Sequence, residues 1–156
     1  MAALPVGSKA PDFELEGSAG KTKLSDLLKE NDYVILAFFP AAFSPVCTSE
    51  LNLYQEVKEE FAELGAEVVG ISVDSRWVQQ AFAKQNNLSF PVLADFHPKG
   101  TIAAQFGVMR ADGMAERALF IVDSDGIVRY SYVSELTKSP GADRLLEALE
   151  KMKAPA

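Results

Sequence analysis

Cys47 is the only cysteine of the chain and His97 its only histidine, so nucleophilic or near-neutral base chemistry has one residue of each kind to draw on. Cys47 lies in Phe39-Pro-Ala-Ala-Phe-Ser-Pro-Val-Cys-Thr-Ser-Glu50. An apolar run stops at Pro40, a short loop follows, and Ser44-Pro45 has the pattern of a helix start. Serine is a favoured N-cap, and proline suits the first helical position because the N–H it lacks would be unpaired there. With Ser44 as N-cap, Cys47 is the third helical residue. The unpaired N–H groups of the first turn and the positive end of the helix dipole favour a thiolate at that place. The competing reading is a small, inert core thiol; a first-turn position after a Pro-bounded loop, outside any apolar stripe, argues against it. Ser44 can likewise be a plain N-cap.

Spacing excludes several familiar thiol chemistries. A dithiol reductase needs a second cysteine three positions away, where Ser44 and Glu50 stand. A cysteine phosphatase loop needs an arginine six residues on, and Leu53 is there. A papain-like site needs a histidine base, and His97 in Asp95-Phe-His-Pro98 reads as an exposed loop residue or an interface contact. One cysteine and one histidine cannot build a zinc cage. Asp123-Ser-Asp-Gly126 imitates the opening of a calcium loop without the remaining ligand spacing and reads as a turn. No metal and no cofactor is expected.

The elements around this segment follow from hydrophobic period. Residues 10–16 alternate apolar and acidic as a half-buried strand, and Lys21–Leu24 is placed to pair back after a turn. Ser25–Leu28 reads as a short helical turn. Tyr33–Phe39, Val68–Val73 and Phe90–Ala94 are continuous apolar runs, the mark of strands covered on both faces. Pro91 implies an irregular start or an edge position for the last of them. Leu53, Tyr54, Val57, Phe61 and Leu64 recur at helical spacing, with Gly65 as the stop. Ser75–Gln85 is a second helix facing inward through Val78, Ala81 and Phe82, capped by Asp74 or Ser75, and Thr101–Phe106 is a short third. Residues 118–122 and 127–133 are strands joined through Asp125-Gly126, a hairpin signal. Ala142–Met152 is a closing amphipathic helix with Leu145, Leu146 and Leu149 inward. Helices between apolar strands, closed by a hairpin, give an α/β fold: a thioredoxin-like three-layer sandwich with a mixed central sheet and an N-terminal strand extension.

The 156 residues, 48% of them apolar, suit a single domain over 1–156 that needs no disulfide or metal to hold it. A net charge of −7 argues against nucleic acid, which selects clustered positive charge. Met1-Ala-Ala-Leu-Pro5 has no basic or apolar leader pattern, and no apolar run approaches membrane-spanning length, so a cytoplasmic protein without a membrane partner is expected.

Pro40-x-x-x-Ser44-x-x-Cys47 resembles the peroxidatic motif of the peroxiredoxins. Further blocks agree in order along nearly the whole chain: Ala10-Pro-Asp-Phe13, Phe90-Pro-Val-Leu-Ala-Asp95, Glu116-Arg-Ala-Leu-Phe-Ile-Val-Asp123 and Gly126-Ile-Val-Arg129. The likeness is nearest to one-cysteine, alkyl hydroperoxide reductase E-type bacterial members. Ser44 departs from the commoner threonine but keeps the hydroxyl, and no second cysteine exists for an intrachain resolving step.

The resemblance implies a thiol-dependent peroxidase reducing hydrogen peroxide or organic hydroperoxides. Cys47 would attack one peroxide oxygen and become a sulfenic acid. Arg117 would steady the thiolate and hold the peroxide, Ser44 would place its hydroxyl on the peroxide or the sulfur, and Pro40 would shield the pocket. Glu50 would orient Arg117, and the N–H groups of Val46 and Cys47 would join the donors. Arg76, Arg110 and Arg129 compete with Arg117, which is preferred for the block around it. An external thiol (a thioredoxin, a glutaredoxin-like protein or a low-molecular-weight thiol) would regenerate Cys47. A homodimer is implied, with Phe43, Trp77 and Phe96 either at its contact or packed in the core. The rival readings are a redox sensor and a thioredoxin-fold binding or holdase protein with a silent cysteine.

Thiolate supply cannot by itself explain such a peroxidase. For a cysteine in general, lowering the pKa from about 8.5 to about 6 raises the thiolate fraction roughly 30-fold at pH 7. The accompanying loss of nucleophilicity costs roughly 13-fold. Donors aimed at the departing oxygen must supply the rest. Arg117→Ala is then expected to slow oxidation far more than it lowers thermal stability.

Overall fold

The computed structural model describes residues 2–153; Met1 and residues 154–156, the two ends of the expected domain, lie outside it. The chain runs β1 (Glu14–Gly17), β2 (Gly20–Lys23), α1 (Leu24–Glu30), β3 (Tyr33–Phe38), α2 (Pro45–Glu56), α3 (Lys58–Glu63), β4 (Ala66–Ser72), α4 (Arg76–Gln85), β5 (Val92–Ala94), α5 (Thr101–Gln105), β6 (Arg117–Asp123), β7 (Val128–Ser134) and α6 (Asp143–Lys153). The strands form one sheet in the order β2-β1-β5-β4-β3-β6-β7. β3, β4 and β5 are parallel neighbours, whereas β6 and β7 add antiparallel beside β3 and the β1–β2 hairpin closes the far edge.

The uninterrupted apolar runs are explained by cores on both faces. Successive side chains of a strand point to opposite faces, so Val34, Leu36 and Phe38 join one core with Phe106 and Phe120. Ile35, Ala37 and Phe39 join the other with Leu51, Phe82 and Leu145. Leu24 of α1 and Ile102 of α5 cover the first face, and α2, α3, α4 and α6 cover the second. This is the expected thioredoxin-like sandwich with a mixed sheet and an N-terminal hairpin. Cys47 belongs to the second core.

Several local expectations are corrected. The first strand covers only Glu14–Gly17; Ala10, on the buried approach to it, bonds through its N–H to Gly126 O at 2.8 Å and not to β2. The helix read through Leu64 is interrupted at Val57 (φ −101°, ψ 13°). Its hydrogen bonding resumes from Phe61 N–H to Val57 O at 3.1 Å, so the apolar spacing runs on through the break. β5 is internal, not an edge: Pro91, just before it, lacks an N–H but accepts the Gly70 N–H through its carbonyl at 3.0 Å. The buried face of α4 is Gln79, Phe82 and Ala83, with Ala81 exposed. Gln79 tolerates burial because its amide donates to Ser72 Oγ and Leu93 O, both at 2.8 Å. Leu146 of α6 is only half-buried.

Candidate active site

Ser44 has extended φ and ψ and Pro45 opens α2, which makes Cys47 the third helical residue. The N–H groups of Val46 and Cys47 lie in the first turn, where an α-helix provides no intrahelical acceptor. Ser44 departs from its expected role as a side-chain cap. Its hydroxyl donates to Ala41 O at 2.9 Å and caps no helical N–H. The proton being committed to a carbonyl, the oxygen presents lone pairs, so a hydroperoxide would meet it as an acceptor.

The loop before α2 is held tightly. Pro40 is buried, and Phe43 sits at φ +69°, a left-handed conformation unusual for a bulky residue. The Ala42 N–H donates to Asp74 Oδ2 at 2.8 Å, and the Phe43 ring meets Phe82 edge-on at 5.1 Å. Asp74 therefore serves the loop, while Ser75 caps α4 by accepting the Val78 N–H.

Cys47, Glu50 and Tyr54 follow at i, i+3 and i+7 on α2 and are all buried. Arg117 opens β6, whose antiparallel register sets Ala118 beside Phe38 at the end of β3. Topology thus carries Arg117 to a residue 67 positions away: its Nη1 donates to Glu50 Oε1 at 2.8 Å. Nε and Nη2 donate to Leu136 O at 3.1 and 2.8 Å. A guanidinium has five N–H donors. These bonds use one N–H on each of its nitrogens, which leaves one on Nη1 and one on Nη2.

Through Glu50, three residues after Cys47 on α2, the guanidinium is held one helical turn from the thiol. Desolvation by burial pulls the Arg117 pKa down, but the Glu50 hydrogen bond and the charges of Cys47 and Glu50 raise it above the ordinary value. Burial pushes Glu50 up, opposed by hydrogen bonds from Arg117 and Tyr54 and by the Arg117 charge. At 2% and 0% exposure, Arg117 and Glu50 form a solvent-excluded ion pair. Burial alone is the mark of an inert cysteine; a buried Arg117–Glu50 ion pair one turn along α2 separates Cys47 from that class.

The competing arginines are occupied elsewhere. Arg76 pairs with Glu16, Arg110 with Asp112 and Glu116, and Arg129 with Asp123. His97 is exposed and lines a surface groove with Arg76, Trp77 and Phe96. Phe43, Trp77 and Phe96 are 45%, 65% and 55% exposed, which removes the core-packing reading of all three. Among the described residues, no group of three or more His, Cys, Asp or Glu side chains could hold a metal ion. No helix there is long and apolar enough to cross a membrane.

Three participants escaped the sequence. Tyr54 had a signal, its i+4 spacing from Glu50, but fitted an apolar stripe equally well. The Leu136 carbonyl had none, being a backbone group in a loop. Asp74 was visible only as a helix cap.

Residues 6–131 match the AhpC/TSA family. Over 157 residues the chain is 34% identical to a putative peroxiredoxin of Mycobacterium tuberculosis, covering 97% of this chain and 99% of that protein. It is 36% identical to the chloroplastic 2-cysteine peroxiredoxin of Chattonella marina var. antiqua, over 93% of this chain and 78% of the relative. Its fold is similar to the crystal structure of peroxidoxin BcpB from Mycobacterium tuberculosis, with a TM-score of 0.87 and 35% identity over 99% of this chain and all of that one.

Proposed function

The chain belongs to the AhpC/TSA family of peroxiredoxins, and from that premise we propose that this thiol-dependent peroxidase works by a one-cysteine mechanism on Cys47. The Cys47 thiolate attacks one oxygen of hydrogen peroxide or an organic hydroperoxide. A sulfur–oxygen bond forms, the O–O bond breaks, sulfur is oxidised by two electrons, and the departing oxygen takes a proton to leave as water or an alcohol. Arg117 offers its uncommitted N–H groups to the sulfur and to that oxygen, joined by the first-turn N–H groups of Val46 and Cys47. By analogy with an oxyanion hole, each such donor is worth about a hundredfold or more. Ser44 seats the peroxide by accepting its O–H, Pro40 limits water at the sulfur, and Glu50 aims Arg117.

The observation that carries this reading is the buried Arg117 guanidinium paired with Glu50, one turn along α2 from the only thiol. The family favours it over a binding protein with a silent cysteine. With no second cysteine in the chain, an external thiol resolves the sulfenic acid. One thiol displaces water to give a mixed disulfide, and a second releases Cys47 as thiol; a thioredoxin, a glutaredoxin-like protein or a low-molecular-weight thiol can supply both. The lone cysteine also supports the one-cysteine, alkyl hydroperoxide reductase E-type assignment. A thiol that must return to the reduced state suits a cytoplasmic setting. Exposed Phe43, Trp77 and Phe96 support a homodimer contact, each subunit being a single domain over residues 1–156.

The test is a single turnover. Reduced protein is mixed with one equivalent of hydrogen peroxide, thiol loss is followed in milliseconds beside free cysteine, and the product is trapped for intact mass. A rate orders of magnitude above free cysteine, with one oxygen on Cys47, is expected. A rate equal to free cysteine, for hydrogen peroxide and for an alkyl hydroperoxide alike, would overturn the assignment.

A further inference from the structure

The Tyr54 ring is fully buried beside Phe61, where a phenylalanine would fill the same space. The phenolic hydroxyl therefore needs its own explanation, since a buried hydroxyl is costly unless it is bonded. Its oxygen lies 2.8 Å from Glu50 Oε2 and 3.4 Å from Gly141 O. A phenol has one proton, and the closer, charged acceptor takes it. Glu50 is thereby gripped at both oxygens, Oε2 by Tyr54 and Oε1 by Arg117 Nη1 at 2.8 Å. On the other side, Arg117 is gripped by the Leu136 carbonyl.

We propose that Tyr54 is a positioning residue for peroxide reduction: its hydroxyl locks the Glu50 carboxylate, and that carboxylate aims the Arg117 guanidinium at Cys47. Without the hydroxyl, Glu50 Oε2 is a buried carboxylate oxygen with no partner. The side chain is then free to turn or to take up a proton, a change that burial already favours. Either event releases one of the two holds on Arg117. An error of about 1 Å in a catalytic donor costs up to about a hundredfold in rate. The inference rests on the roles given above to Cys47 and Arg117.

Tyr54→Phe removes one oxygen and keeps the packing, so the variant is expected to fold. Two reactions of Cys47 are then compared in wild type and variant: oxidation by hydrogen peroxide, and alkylation by iodoacetamide, which needs a reachable thiolate but no donor on a departing oxygen. Roughly tenfold slower oxidation with alkylation within twofold of wild type is expected. Unchanged oxidation in Tyr54→Phe, with wild type far faster than free cysteine, overturns the role of Tyr54 and leaves the peroxidase reading standing. Equal slowing of both reactions also overturns it, because it reports general loosening and not the loss of a donor on the departing oxygen. A wild-type rate no faster than free cysteine would overturn the site reading and this inference together.

Discussion

The Asp74 carboxylate accepts the Ala42 N–H at 2.8 Å across 32 residues of chain, joining the end of β4 to the loop that precedes Cys47. The same carboxylate oxygen accepts the Ser72 hydroxyl at 2.6 Å, and Ser72 Oγ in turn accepts the Gln79 amide at 2.8 Å. This network holds Ala42 beside Phe43, whose left-handed backbone would otherwise relax, since such strain persists only where surroundings over-determine it. Asp74→Ala is expected to slow Cys47 oxidation about tenfold or more through displacement of Pro40 and Ser44. It should also cost about 1.5–3 kcal/mol of stability. Asp74→Asn keeps an acceptor for Ala42 and is expected to recover most of the rate in stopped-flow thiol loss. Equal rates for Asp74→Ala and wild type would mean that the loop needs no such anchor.

Arg117→Ala separates catalysis from stability less cleanly than sequence reasoning implies. Loss of its donors is expected to slow oxidation about a hundredfold or more. The same change strands Glu50, fully buried, without its cation, a lesion of about 3–5 kcal/mol. The double variant Arg117→Ala, Glu50→Gln removes the stranded charge and should regain much of the stability in urea unfolding while the rate stays low. Recovery of both together would show that Arg117 acts only by holding the fold.

How much of this was legible depended on which interactions leave a periodic trace. β3 could be read because its two faces both meet apolar cores, so every position from Val34 to Phe39 had to be apolar. The depth of Cys47 in α2 could be read because Ser44-Pro45 marks a helix start by local chemistry alone. Arg117 stood out only through its family block: burial at the start of β6 and bonding to the Leu136 carbonyl are products of tertiary structure. The inward face of α4 reads through Ala81 and without Gln79 for the same reason, since the burial of Gln79 depends on partners that Ser72 and Leu93 supply. The break at Val57 left no trace because helical spacing resumes across it.

Tyr54 should make stability sensitive to high pH. Its folded-state pKa is raised by desolvation, then by the charge of Glu50 and the hydrogen bond to it, against smaller lowering by Arg117 and Arg144. An unfolded tyrosine ionises near pH 10. The stabilisation from a neutral, bonded Tyr54 is thus fully present below about pH 10 and is lost progressively above it. Tyr54→Phe is expected to be about 1.5–3 kcal/mol less stable than wild type at pH 7. That gap should narrow by up to about 1.4 kcal/mol per pH unit above pH 10. A gap constant from pH 7 to pH 11 would show that Tyr54 ionises as readily in the fold as outside it.

The buried position of Cys47 also limits how its oxidised form is resolved. A disulfide requires two sulfurs about 2.05 Å apart, and a fully buried Cys47 in the first turn of α2 cannot meet Cys47 of another copy while that turn is intact. A small external thiol meets the same distance with one flexible molecule instead of a second folded chain, so a local opening at Cys47 suffices. Protein oxidised with one equivalent of hydrogen peroxide and then given a low-molecular-weight thiol is expected to show a mixed disulfide on Cys47 by intact mass. On a non-reducing gel it should remain at monomer mass. With excess peroxide and no thiol, Cys47 should instead gain a second oxygen and lose activity irreversibly, the ordinary fate of a sulfenic acid without a resolving partner. Accumulation of a Cys47-linked dimer as the main product would require the first turn of α2 to unwind during turnover and would overturn resolution with that turn intact.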